Sequence, residues 1–193
     1  MTEQAGDTRA RIQQVALELF TEQGYEKTSL REIAERLGVT KAALYYHFKT
    51  KEDIVERTVH DYMHSIDELI EWAGAQPRTL ETRREIIQRY GDLLAAGGRS
   101  MRFFQQNPVH GKALGDGFRQ RMRELFELIT EPDAALTDQI RALLALFGQG
   151  MSMMLTSDDA KLPGGPYEPE EVRAAALEVA MDLISPRPQR DKP

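Results

Sequence analysis

Thr40, Lys41, Ala42, Tyr45, Tyr46, His47 and Lys51 fall within one short stretch, TKAALYYHFKTK, with Arg31 a little upstream. Ammonium and guanidinium groups grip phosphate oxygens, and Lys, Tyr and His side chains reach the edges of bases. From Lys27 to Lys51 there are six basic residues (Lys27, Arg31, Arg36, Lys41, Lys49, Lys51) and two acidic ones (Glu32, Glu35), a local net of +4. The whole chain of 193 residues instead carries 25 Lys plus Arg against 31 Asp plus Glu, a net of −6. A basic island in an acidic chain points to a localised polyanion site.

Such side chains are useful only if something holds them outward. Asp7 or Thr8 can cap a helix whose apolar residues Ile12, Val15, Ala16, Leu19 and Phe20 recur at helical spacing, with Gly24 as its left-handed stop. Ser29 and Glu32 form an S-x-x-E capping box that opens a second helix with Leu30, Ile33, Ala34 and Leu37 on one face, ending at Gly38. Thr40 caps a third, with Ala43, Leu44 and Phe48 inward and Lys41, Ala42, Tyr45 and Tyr46 on or near the outer face. Thr50 caps a fourth, with Glu52 and Asp53 in its first turn. Two short helices joined by a tight turn containing Gly make a helix-turn-helix, whose second helix enters the major groove of DNA.

The stretch TSLREIAERLGVTKAALYYHFKTKEDI, preceded by RIQQVALELFTEQGY, resembles the DNA-binding domain of TetR-family transcriptional regulators. The resemblance covers roughly Thr8 to Val59. It implies DNA contacts from Arg31, Thr40, Lys41, Ala42, Tyr45, Tyr46 and His47, and a phosphate contact from Lys51. For Tyr46 and His47 the residues leave open a second role, packing within the small domain. The family further implies an all-α architecture: a three-helix N-terminal head with the helix-turn-helix (1–50), a larger helical effector-binding and dimerisation domain (51–185) and a flexible tail (186–193). It also implies a homodimer, most often a repressor, on a palindromic double-stranded DNA operator, released by a small-molecule effector.

Beyond the head the text is acidic and helical, broken at AGAQP, AAGG, NP, EPD, KLPGGP and SPRPQRDKP. Phe103, Phe104, Phe118, Met122, Phe126, Phe147, Met151 and Met154 suggest an apolar or aromatic effector pocket, because Met and aromatic side chains repack around varied ligands. Equally, a stripe at helical spacing is what any core shows. Small residues among apolar ones in the last two helices (Gly148, Gly150, Ala174, Ala175, Ala176, Ala180) suit either a dimer seam or the monomer's own core.

Several classes are excluded or disfavoured. The absence of Cys removes disulfides and thiolate metal sites. The longest apolar run, Ala142 to Phe147, is too short to span a bilayer, and the N-terminus lacks a signal-peptide core, so a cytoplasmic location with no membrane contact is expected. His60 and His64 stand one turn apart without the accompanying ligands of a zinc motif, so they read as surface histidines and no metal or other cofactor is expected. There is no phosphate-binding glycine loop and no G-x-S-x-G, which argues against an enzyme. The alternative to a regulator is a helical small-molecule-binding or scaffolding protein without specific DNA recognition.

Overall fold

The computed structural model describes residues 2–98, 100, 103–104, 107, 115–155 and 167–185. Among them are eight α-helices and no strand, the all-α architecture expected. They are α1 (Thr2–Gln23), α2 (Leu30–Leu37), α3 (Lys41–His47), α4 (Lys51–Gly74), α5 (Leu80–Ala96), α6 (Gly115–Ile129), α7 (Leu136–Leu155) and α8 (Pro169–Ile184). A further short helix expected around Met101 to Gln106 lies mostly outside the described residues, as does the expected tail at 186–193. The chain divides into two compact units, 1–64 with 97–117, and 65–96 with 118–193.

The first unit, the head, follows the capping signals closely. α1 begins earlier than its expected Asp7 or Thr8 cap, and Gly24 ends it at a φ of 96°. At α2 the Ser29 hydroxyl accepts from the Glu32 N–H at 3.2 Å while the Ser29 N–H donates to the Glu32 carboxylate at 2.7 Å, both halves of the capping box. Gly38 takes the left-handed conformation (φ 68°, ψ 27°), and the Val39 N–H reaches back to the Ala34 carbonyl at 3.1 Å. That six-to-one closure lets the chain leave α2 and enter α3 at once. Thr40 caps α3 through the Ala43 N–H at 3.1 Å, and Thr50 caps α4 through the Asp53 N–H at 3.0 Å. Ile12, Ala16, Phe20, Ile33, Leu44 and Ile54 close a shared core.

Phe103 and Phe104 belong to that same core, which is why 97–117 joins the head. The head is therefore not the contiguous 1–50 block expected. It takes in the first half of α4, whose Ile54 and Val55 are buried in the cluster, and a segment that follows α5 in sequence.

In the second unit, the body, α7 and α8 pack most extensively and α5 lies against both. Ile86, Ile87, Tyr90 and Leu94 of α5, Leu125 and Ile129 of α6, and Ala142, Ala145 and Leu146 of α7 are buried. A buried amide sits among them: the Gln149 Nε2 donates to the Ala176 carbonyl of α8 at 3.1 Å. Its Oε1 lies only 2.9 Å from where a side-chain Cβ would stand on Gly91, so a larger residue there would press on the end of this side chain. Asp67 of α4 and Arg121 of α6 form a two-pronged ion pair at 2.7 and 2.6 Å. No described helix is long and apolar enough to cross a membrane.

Candidate nucleic-acid interface

Leu44 is fully buried and anchors α3 in the head core, which turns the opposite side of this short helix outward. Thr40, Lys41, Ala42 and Tyr46 are exposed there. Tyr46 is 80% exposed, a large ring presented to solvent, with the His47 ring nearly perpendicular to it at 5.2 Å. His47 is half-buried, and its Nδ1 is enclosed without a hydrogen-bond partner. Tyr45 is half-buried on the core cluster and offers a ring face to the Lys41 ammonium at 5.4 Å, so it is less outward than its neighbour Tyr46.

The cations divide by partner. Arg31 pairs with Glu35 at 2.7 Å and Arg36 with Glu22 at 2.8 Å, so either must exchange a carboxylate for a phosphate before it can contribute to binding DNA. Both pairs are solvent-exposed, where such pairing is weak. Lys49 and Lys51 donate to backbone carbonyls, of Tyr45 at 2.5 Å and Tyr25 at 2.6 Å, and also lie near enough to carboxylates, Asp53 for Lys49 and Glu32 and Glu52 for Lys51, to help hold those groups low. The Lys51 ammonium also lies over the Tyr25 ring, 4.3 Å from its centroid.

The contact between Tyr25 and Glu52 was not expected from the sequence. The Tyr25 hydroxyl donates to the Glu52 carboxylate at 2.7 Å, which holds that carboxyl below the usual range, while burial and then Glu52 push the phenol upward. Glu52 and Asp53 occupy the first turn of α4, where the helix dipole favours them. Asp53 accepts from the Lys49 and Thr50 N–H groups at 2.8 and 2.9 Å and is likewise held low, chiefly by the Lys49 amide.

The residues expected to form an effector pocket fall in several settings. Phe103 and Phe104 are core residues of the head. Phe147 and Met151 are 62% and 56% exposed on α7. Only Phe118, Met122 and Phe126 share a half-buried course along α6, where the Tyr90 hydroxyl meets the Met122 sulfur at 3.3 Å. The Met154 side chain lies outside the described residues. The physical reason is that α7 carries two apolar stripes. Ala142, Ala145, Leu146 and Gln149 face inward, and Ile140, Leu144, Phe147 and Met151 face out. The outward stripe borders an open apolar groove of about 510 Å³ between α7 and α8, lined also by Gly148, Ala175 and Val179. Ala180, one of the small residues that suit a dimer seam or the monomer's own core, is 1% exposed and buried within the monomer. Among the described residues no group of three or more His, Cys, Asp or Glu could hold a metal, and His60 and His64 stand with rings 6.3 Å apart.

Comparison with known proteins agrees with this geometry. A family model described as bacterial regulatory proteins, tetR family, matches residues 12–58, the helix-turn-helix and its flanks. The HTH-type transcriptional regulator AcrR of Shigella flexneri is 52% identical over 52 residues, 27% of this chain and 24% of that protein. The HTH-type transcriptional repressor KstR2 of Mycolicibacterium smegmatis is 35% identical over 94 residues, 48% of this chain and 42% of that protein. The chain thus spans well under half the length of these two curated relatives. Among solved structures, a transcriptional regulator of Aquifex aeolicus superposes with a TM-score of 0.69 at 20% identity, covering 92% of this chain and 99% of that one. The ketosteroid transcriptional regulator KstR2 of Mycobacterium tuberculosis gives 0.64 at 16% identity, covering 91% and 93%. At these identities the likeness is one of fold.

Proposed function

We propose that this chain, whose head belongs to the TetR family of bacterial regulatory proteins, is a transcriptional repressor that binds a palindromic operator as a homodimer and is released by a small apolar effector. The observation that carries the reading is the capped, core-anchored α3 with Thr40, Lys41, Ala42 and the 80%-exposed Tyr46 on its free side. A helix of this kind seats in the major groove, where Lys41 meets G O6 or N7 and Tyr46 offers a hydroxyl and a ring, while Lys51 meets phosphate.

The exposed stripe of α7 with Val179 of α8 supports dimerisation, because an apolar surface of this kind is stable only when covered. A two-fold dimer sets two recognition helices about one DNA turn, roughly 34 Å, apart. For the effector, the half-buried Phe118, Met122 and Phe126 of α6 remain the favoured lining, and the ketosteroid named for the KstR2 neighbour agrees with an apolar ligand. α4 is unbroken from Lys51 to Gly74, so a tilt of its far end changes the spacing of the two heads. Coupling of this type is about 1–3 kcal/mol and reciprocal.

The test is selection from a random duplex pool by the full chain, followed by sequencing. An inverted repeat with half-sites about one helical turn apart is expected. A pool with no enriched motif overturns the repressor reading.

A further inference from the structure

The head holds a chain of contacts that begins far from it in sequence. Phe103, fully buried, has its ring 5.4 Å from that of Phe20 and 5.9 Å from that of Tyr25. Phe20 and Tyr25 meet edge to face at 4.9 Å, so the three rings form one closed cluster. Tyr25 in turn fixes both leading residues of α4. Its carbonyl and ring face hold the Lys51 ammonium, at 2.6 Å and 4.3 Å, and its hydroxyl holds the Glu52 carboxylate at 2.7 Å.

A free lysine loses much of its rotamer freedom when it grips a phosphate. Here that loss has already occurred in the folded head. An ammonium has three N–H donors, and one is spent on the Tyr25 carbonyl, which leaves donors for a phosphate oxygen at the N-terminal end of α4. The Phe103 ring fills the third side of the cluster, so it supports the Tyr25 ring alongside Phe20, the Glu52 carboxylate and the Thr28 N–H on the Tyr25 carbonyl. Loss of that ring frees Tyr25 to shift and Lys51 to move with it.

We infer that Phe103 is a positioning residue for the phosphate contact of Lys51, acting through Tyr25. This rests on the DNA-binding reading above, deepens it, and ties the head's grip on DNA to a residue that follows α5 in sequence. Phe104 is also buried and touches Phe103 at 5.3 Å, yet it belongs to the core without this role.

The experiment uses the full chain and a labelled random-sequence duplex of about two helical turns, with affinity followed by anisotropy across a salt series, because phosphate contacts are independent of sequence. Lys51→Ala is expected to lower the salt slope by about one per subunit. Phe103→Leu should lower it in the same direction and weaken binding at low salt by about threefold to tenfold, the range of one charge-assisted contact partly lost. In the Lys51→Ala background the same Phe103→Leu change should then have no further effect. Phe104→Leu should leave the slope where it was. If Phe103→Leu unfolds the head in a thermal melt, Tyr25→Leu against Tyr25→Phe serves instead: both keep the main-chain carbonyl, the first loses the aromatic ring and should lower the slope, and the second keeps the ring and should not. An unchanged slope in Phe103→Leu, or an equal loss with and without Lys51, overturns the inference and leaves Phe103 as core alone. A wild-type chain without salt-dependent duplex binding overturns the DNA reading itself, and the inference with it.

Discussion

The head and the α7–α8 face of the body use large apolar side chains in opposite ways. In the head Phe20, Tyr25 and Phe103 close on one another, while Tyr46 stands exposed on the helix that also exposes Lys41. On the body's α7 the large side chains Leu144, Phe147 and Met151 are exposed, while the inward places go to Ala142, Ala145, Leu146 and a buried amide, Gln149. An exposed ring on the same short helix that exposes Lys41 suits a charged, wet surface such as a duplex. An exposed apolar stripe beside an open groove suits another apolar surface. Exposure alone therefore does not identify a partner; the company an exposed side chain keeps does.

The comparison can be broken from either side. The largest effect is expected from Leu44→Ala, which empties a fully buried site under α3 and should cost about 2–5 kcal/mol, in the range of core Leu truncations. Duplex binding should vanish while the molar mass in solution stays dimeric; retained duplex binding in anisotropy titrations would show that α3 does not depend on this anchor. From the other side, Phe147→Glu places a carboxylate in the exposed stripe. It should raise the dimer dissociation constant by about thirtyfold or more, a hot-spot loss of about 2 kcal/mol, with the unfolding of the monomer little changed. Equilibrium sedimentation checks it, and an unaltered dimer would move the interface to another face. Ala180→Arg is not the equivalent test, since Ala180 is buried inside one chain and the charge would damage the monomer first.

A smaller change sharpens the contrast within the body. Gly91→Ala sets a Cβ 2.9 Å from the Gln149 Oε1 and should cost about 1–3 kcal/mol, as overpacking does. In the double variant Gly91→Ala with Gln149→Ala the added cost of the alanine at 91 should fall, and thermal melts showing simple additivity would contradict the close approach. The smallest effect is the response of the head to acid. Glu52, through the Tyr25 hydroxyl, and Asp53, through the Lys49 amide, titrate below their ordinary values of 4.5 and 3.8. Their contribution is therefore complete above those unfolded values and is lost as pH falls through the lowered folded ones. Tyr25→Phe should flatten the part due to Glu52, and denaturant titrations between pH 6 and about pH 3 that show the same loss in both proteins would contradict the assignment.

How far the sequence could be read follows the same division. The starts of α2, α3 and α4 were legible because each has a short-range chemical signal: Ser29 with Glu32, Thr40, and Thr50 with Asp53 cap helices, and Gly38 closes α2, as their types require, whereas α1 begins before its expected cap. Tyr25, Phe103 and Phe104 were not legible as one cluster. Their meeting is set by tertiary packing between segments far apart in sequence, and two adjacent phenylalanines read equally well as a pocket wall. In α7 the helical period was plain, yet two apolar stripes satisfy it and only the packing of α5 and α8 decides which is buried. Nor did the small residues act alike: Ala180 fills the monomer's interior, whereas Gly148 meets no atom within 4 Å of a Cβ built on it.

The central claim is that the free face of α3 reads bases while the start of α4 holds phosphate. It is tested most directly by the affinity ratio of each variant for its selected duplex over a scrambled one, at one salt concentration. Tyr46→Ala and Lys41→Ala should each lower that ratio by about tenfold, within the roughly 1–3 kcal/mol of one base contact, with the melting midpoint unmoved. Lys51→Ala should weaken both duplexes alike and leave the ratio unchanged. A ratio unaffected by Tyr46→Ala and Lys41→Ala, or lowered by Lys51→Ala alone, would contradict the account.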